Sequence, residues 1–153
     1  MRCRASFLVM LMVVIAVLLA VSPASAADKS IAFGLPGPPT FGVEYEHGLS
    51  DSSSCCFTAG SFVIIFDFSV GLGMKWYKEN SLMDGRYYGL SLYYGRGSFL
   101  GDHYFYSIQG VLGYKKVYNR LTVDVGAGPI CFVENGDAKL LACLVLMVGW
   151  SLP

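Results

Sequence analysis

The stretch Phe66-Asp-Phe-Ser-Val-Gly-Leu-Gly-Met-Lys-Trp-Tyr77 alternates without a fault. Phe66, Phe68, Val70, Leu72, Met74 and Trp76 share one parity; Asp67, Ser69, Gly71, Gly73, Lys75 and Tyr77 share the other. Successive side chains of a β-strand point to opposite faces, so this is a strand with one apolar face and one small or polar face. The period continues on both sides. Phe41, Val43 and Tyr45 oppose Gly42, Glu44 and Glu46, and Tyr88, Leu90, Leu92 and Tyr94 oppose Tyr87, Gly89, Ser91 and Gly95. Leu121, Val123, Val125 and Ala127 oppose Thr122, Asp124, Gly126 and Gly128. From Tyr104 to Lys115 the rule holds with Phe105 and Val111 as exceptions. No segment has a convincing helical period, so the chain after its leader is all-β.

Turn-forming residues cut this pattern into strands. Breaks fall at Pro36-Gly-Pro-Pro39, Ser50 to Ser54, Glu79 to Gly85, Gly97 to Asp102, Val117 to Arg120 and Glu134-Asn-Gly-Asp137. They predict strands near 40–49, 55–63, 66–78, 86–96, 103–116, 120–132 and 139–150, with Ile31 to Leu35 as a candidate eighth. Phe62 to Phe66 holds no turn residue, so that boundary rests on strand length alone.

Arg2 and Arg4, the apolar run Phe7 to Val21 and the small residues Ser22-Pro-Ala-Ser-Ala26 form a secretory signal peptide, with cleavage expected after Ala26. Cys3 lies in the charged leader, so no lipid-anchor cysteine stands at the cleavage point. Residues 27–153 form one domain. Composition narrows its class. Charged residues make up 14% of the chain against about 25% in soluble domains. The net charge is zero, which excludes a nucleic-acid binder working through a basic surface. At 54% apolar residues the chain is also far from the disordered regime. What remains is an exported apolar protein or a membrane protein. The longest apolar run after the leader, Leu140 to Val148, is too short for a spanning helix but has the length of a spanning strand.

The polar parity decides between a soluble sandwich and a membrane barrel. A sheet face in water carries abundant Lys, Glu, Arg and Thr. Here that face is mostly Gly and Ser, with a few ions of both signs: Glu44, Glu46, Asp67, Lys75, Lys115 and Asp124. Small residues suit the crowded inside of a narrow barrel, where opposite charges pair into an interior network. The apolar parity has aromatics towards its ends (Trp76, Tyr88, Tyr94, Tyr104, Tyr114) and aliphatics between them, the arrangement of a membrane belt between girdles. A sheet in lipid must close on itself, because no water is present to satisfy an open edge. The expectation is a small closed antiparallel up-and-down transmembrane β-barrel of eight strands. Turns near Ser50–Ser54, Glu79–Gly85 and Val117–Asn119 would then be periplasmic, and 98–102 and 134–137 external. The external loops are short, leaving little material for a receptor or adhesin surface.

Pro39-Thr-Phe-Gly-Val-Glu-Tyr45, Gly71-Leu-Gly-Met-Lys-Trp-Tyr77 and the segment Gly113 to Gly128 resemble small bacterial outer-membrane β-barrel proteins. These are the eight-stranded group that includes the membrane domain of outer-membrane protein A. The Gly113-Tyr-Lys-Lys hairpin running into Asn119-Arg-Leu-Thr-Val-Asp-Val-Gly-Ala-Gly128 carries most of the likeness. The resemblance implies an outer-membrane location, outer-membrane lipid as surroundings, the barrel-insertion machinery as a partner during biogenesis, and a monomer. Members commonly end in an aromatic residue that this machinery reads. This chain ends Gly149-Trp-Ser-Leu-Pro153, with Trp150 as the expected substitute.

Candidate chemistry is sparse. Cys131 and Cys143 flank the Glu134–Asp137 turn and are a candidate disulfide, against the alternative of four small apolar thiols that includes Cys55 and Cys56. A tight Asn135-Gly136 turn would offset the pair. No Cys-x-x-Cys or neighbouring His pattern points to a metal, and no cofactor is expected. His47 with Ser50 and His103 with Ser107 lack a nucleophile motif, and period two separates 47 from 50. The expected role is structural or interactive, without catalysis. The alternatives are a secreted soluble β-barrel holding a small apolar ligand and, less favoured, a lipid-modifying outer-membrane enzyme.

Overall fold

The structure, a computed structural model, describes residues 29–37, 40–62, 68–78, 83–97, 103–134 and 136–152. Residues 1–26, the expected signal peptide, and Asp67 lie outside the described residues. Eight strands follow one another: β1 (Lys29–Gly37), β2 (Thr40–Ser50), β3 (Ser53–Phe62), β4 (Phe68–Tyr77), β5 (Gly85–Gly97), β6 (His103–Tyr118), β7 (Leu121–Glu134) and β8 (Asp137–Leu152). Each pairs antiparallel with the next, and β8 returns to β1, so the sheet is a closed up-and-down barrel with no helix among the described residues. Ile31 to Leu35, the candidate eighth strand, lies in β1, which pairs with β8 from Lys29 opposite Leu152 to Leu35 opposite Leu146.

The register fixes the barrel's shape. A walk from Cys131 through its partners crosses Ile108, Leu92, Leu72, Phe57, Tyr45, Ile31 and Trp150, and arrives at Leu121. That is ten residues before the starting point on the same strand. Eight strands with this stagger tilt by about 40° and enclose a backbone radius of about 8 Å, given the usual strand spacing and rise. Side chains from opposite walls must therefore meet.

Glycine makes room for the largest of them. Tyr93 stands directly across from Gly71, Tyr87 across from Gly113, and Phe105 across from Gly95. A Cβ built on any of these three glycines would fall against the facing ring. The inward aromatics thus lie over bare backbone, a packing that also protects the glycines from water. It accounts for Phe105, one of the two breaks in the sequence alternation: Phe105 and Val111 are both buried inside. In β8 the inward Cys143, Val145 and Met147 are apolar like the outward Leu144, Leu146 and Val148. Hence the unbroken apolar run in sequence. The interior is therefore half apolar, not uniformly polar.

Met83 lies between β4 and β5, at the end of the barrel where β1 begins and β8 ends. It is buried against Tyr77 and Tyr87 although its φ of 59° is in the left-handed region, where a long side chain is disfavoured. At the neighbouring hairpin Asn119 takes the same region with φ 55°, as a two-residue turn between Tyr118 and Leu121 requires.

Gly113→Ala is expected to lower stability by about 1–3 kcal/mol through overpacking against Tyr87. Gly89→Ala, whose Cβ would meet only ordinary contacts at 3.5 Å and beyond, is expected to raise it by about 0.5 kcal/mol. Urea midpoints of the refolded barrel, followed by the fluorescence of Trp76 and Trp150, would check both.

Candidate functional site: the interior ion cluster

Period two places Glu44 and Glu46 on the inner face of β2, Lys75 and Tyr77 on that of β4, Lys115 on β6 and Asp124 on β7. All six are buried. The structure brings the five expected ions together. Lys75 Nζ donates to Glu44 Oε1 at 2.7 Å and to Asp124 Oδ2 at 2.7 Å, and lies 3.4 Å from Glu46 Oε2. Because β4 and β7 are not neighbours, the Lys75–Asp124 contact is a strut across the lumen. Lys115 Nζ donates to Glu46 Oε2 at 2.6 Å and to Ser30 Oγ at 2.8 Å.

Hydroxyl groups complete the cluster, and these were not among the expected site residues. Ser54 Oγ and Tyr77 OH each donate to Glu46 Oε1 at 2.5 Å, and Tyr87 OH donates to Asp124 Oδ1 at 2.7 Å. The Lys75 ammonium also stands 4.9 Å from the centre of the Tyr87 ring. Three carboxylates face two ammonium groups, so the hydroxyl donors spread the surplus negative charge. Tyr77 and Tyr87 sit on the same parity as Lys75 and Gly89, and their inward position was the available signal.

Buried ions cost several kcal/mol each in lost hydration, offset only where each is paired and its lone pairs are taken up. Glu46 meets that condition with four donors, two on each oxygen. Seven of the eight strands supply a member, from Ser30 on β1 to Asp124 on β7. The cluster can hold strands in register and block the lumen. Beside it, a space of about 10 Å³ bounded by Glu44, Lys75, Ser91 and Gln109 has room for about one water.

Glu44, Glu46 and Cys56 bring possible ligand atoms within 4.8 Å of one another. Lys75 already stands between the two carboxylates as their cation. The candidate disulfide is not formed. Cys131 and Cys143 are both free; Cys131 is opposite Leu140, whereas Cys143 is opposite Gly128 and buried inside. The tight turn leaves them three positions out of step and on opposite faces. Ser50 Oγ is bonded to Ser53 Oγ at 2.6 Å, and both nitrogens of buried His47 lack a hydrogen-bond partner among the described residues. Ser107 is buried inside the barrel. The side chain of His103, the candidate partner of Ser107, lies outside the described residues.

Compared with known proteins, the chain matches no family model, no curated protein and no solved structure.

Lys75→Met would leave three carboxylates around one remaining ammonium and is expected to cost about 3–5 kcal/mol. Tyr77→Phe removes a single donor and should cost about 1–3 kcal/mol. A double variant, Lys75→Met with Asp124→Asn, should recover part of the loss, measured as a coupling energy from urea midpoints.

Proposed function

We propose that this chain is a small outer-membrane β-barrel protein of a diderm bacterium, exported through a cleaved signal peptide, with a structural or interaction role and no catalysis. The observation that carries this reading is the inversion of the barrel. Lys115 is 1% exposed and Glu46 0%, whereas Leu112 and Leu140 are each 74% exposed and Leu144 69%. Among the described residues exposed large apolar side chains stand on every strand but β3, where the outward Cys55, Phe57 and Ala59 are half-buried. A protein partner would need an apolar patch on one side. An apolar belt that encircles the barrel fits lipid.

The dimensions support the same environment. Outward along β5 the order is Arg86, Tyr88, Leu90, Leu92, Tyr94, Arg96. At the barrel's tilt Arg86 to Arg96 span about 25 Å from charge to charge, the height of an outer-membrane apolar band, and the tyrosines stand about 15 Å apart within it. Trp76 stacks on Tyr88 at one level, with centroids 5.3 Å apart, and Tyr94 stacks on Tyr104 at the other, 5.7 Å apart. Arg and Lys at such ends place their charge in the headgroup layer. Among the described residues the interior is filled by side chains, which supports a plug rather than a solute path.

One substitution separates lipid from water. Leu92→Arg, at mid-belt, is expected to destabilise the barrel in a bilayer by about 2–4 kcal/mol. In a water-soluble barrel the same exposed position would tolerate arginine within about 0.5 kcal/mol. Heat-modifiable gel migration of the membrane fraction reports the folded state, and a wild-type chain that stays monodisperse without detergent would overturn the proposal.

A further inference from the structure

The outer wall carries a groove of about 550 Å³ at the end that holds the termini. Lys78, Arg86, Tyr88, Leu112, Tyr114 and Val125 are among the residues that line it. The volume is that of a small-molecule site. Its geometry follows from the register. The Lys78 amide donates to the Arg86 carbonyl at 2.9 Å, which sets the two residues opposite each other on β4's continuation and β5. Arg86 is opposite Tyr114, Tyr114 opposite Val125, and Tyr88 opposite Leu112. Lys78, Arg86, Tyr114 and Val125 therefore share one row, two cations beside an aromatic and an aliphatic side chain, and Tyr88 and Leu112 extend the apolar surface in the next outward row.

Like charges placed directly across two strands repel. Elsewhere at this end a cation has its own acid: Lys116 Nζ donates to Asp84 at 2.9 Å. Neither Lys78 nor Arg86 has an ion pair or side-chain hydrogen bond among the described residues. Both are exposed. Such a pair is complementary to an anion with two or more oxygens, and the apolar groove beside it is complementary to an alkyl chain. One molecule satisfying both is an anionic phospholipid.

We infer that this groove binds one anionic phospholipid of the leaflet facing the termini, its phosphate held by Lys78 and Arg86 and an acyl chain lying against Leu112 and Val125. Tyr88 and Tyr114 sit at the level where headgroup gives way to hydrocarbon, as interfacial tyrosines do. The inference rests on the membrane location proposed above. It adds a defined lipid site to a wall that otherwise meets lipid without preference.

The test is native mass spectrometry of the mature chain, extracted from membranes in a neutral detergent and offered phosphatidylglycerol or phosphatidylcholine. The expected result is one retained phosphatidylglycerol and little phosphatidylcholine. Lys78→Gln with Arg86→Gln should weaken retention roughly tenfold. Leu112→Trp, which fills the groove and leaves both cations in place, should weaken it as well. Equal retention of the two lipids, or retention unchanged in both variants, would overturn the inference. So would displacement of the lipid by inorganic phosphate alone, which would mark a free-anion site. Heat-modifiable migration of the same samples distinguishes the failures: a folded, membrane-bound barrel without lipid preference removes only this site, whereas a chain soluble in plain buffer removes the location too.

Discussion

Closure with a stagger of ten residues governs the rest of the molecule. It pairs the sheet's two outer strands with each other, and it limits the interior to a backbone radius of about 8 Å. Every inward residue must then fit a space that only side chains can fill. Small residues are forced opposite large ones, which is why Gly71, Gly95 and Gly113 face Tyr93, Phe105 and Tyr87. The same narrowness brings Lys75 within 2.7 Å of an aspartate three strands away. In a wider barrel these groups would be hydrated and would not meet.

The ion cluster converts that crowding into a definite register. A slip of one residue would turn Glu44 and Glu46 to the outer face and bring Val43 and Tyr45 inside. An apolar sheet face in an apolar surrounding would resist such a slip only weakly. A buried carboxylate that needs four particular donors resists it strongly, because each misplaced partner leaves a charge uncompensated. The contacts also join distant parts of the chain: Ser30 meets Lys115, 85 residues away, and Glu44 meets Lys75, 31 residues away. Specificity of pairing, more than net stability, is what such a network contributes.

The all-β class, the strand count and five of the six interior ions were legible because period two is local and needs only neighbouring residues. The remainder depends on which residues lie across from one another. Phe105 and Val111 read as errors in the alternation until their partners are known to be glycine: Gly95 for Phe105 and Gly89 for Val111. β8 is apolar on both faces, so its inward residues could not be told from its outward ones by hydropathy. Cys131 and Cys143 looked close because they flank one turn, but the tight hairpin leaves them three positions out of register and so on opposite faces. The hydroxyl donors Ser30, Ser54, Tyr77 and Tyr87 are common residue types at ordinary positions, and only the barrel's curvature gathers them.

The short turns shift attention to the wall. Ser50 to Ser53, Tyr118 to Leu121 and Glu134 to Asp137 connect neighbouring strands with two residues each, so little chain projects beyond the rim at these three hairpins. With the interior filled among the described residues and these three hairpins tight, the outer surface is the part of the described barrel most open to recognition. On the proposed location most of that surface is fluid hydrocarbon contact, which rewards no particular side-chain arrangement beyond being apolar. Departures from plain apolarity on the wall are therefore the informative positions. Lys78 and Arg86 are such a departure: they face each other at a cost in repulsion, beside a groove, at the depth where lipid phosphate would neutralise them.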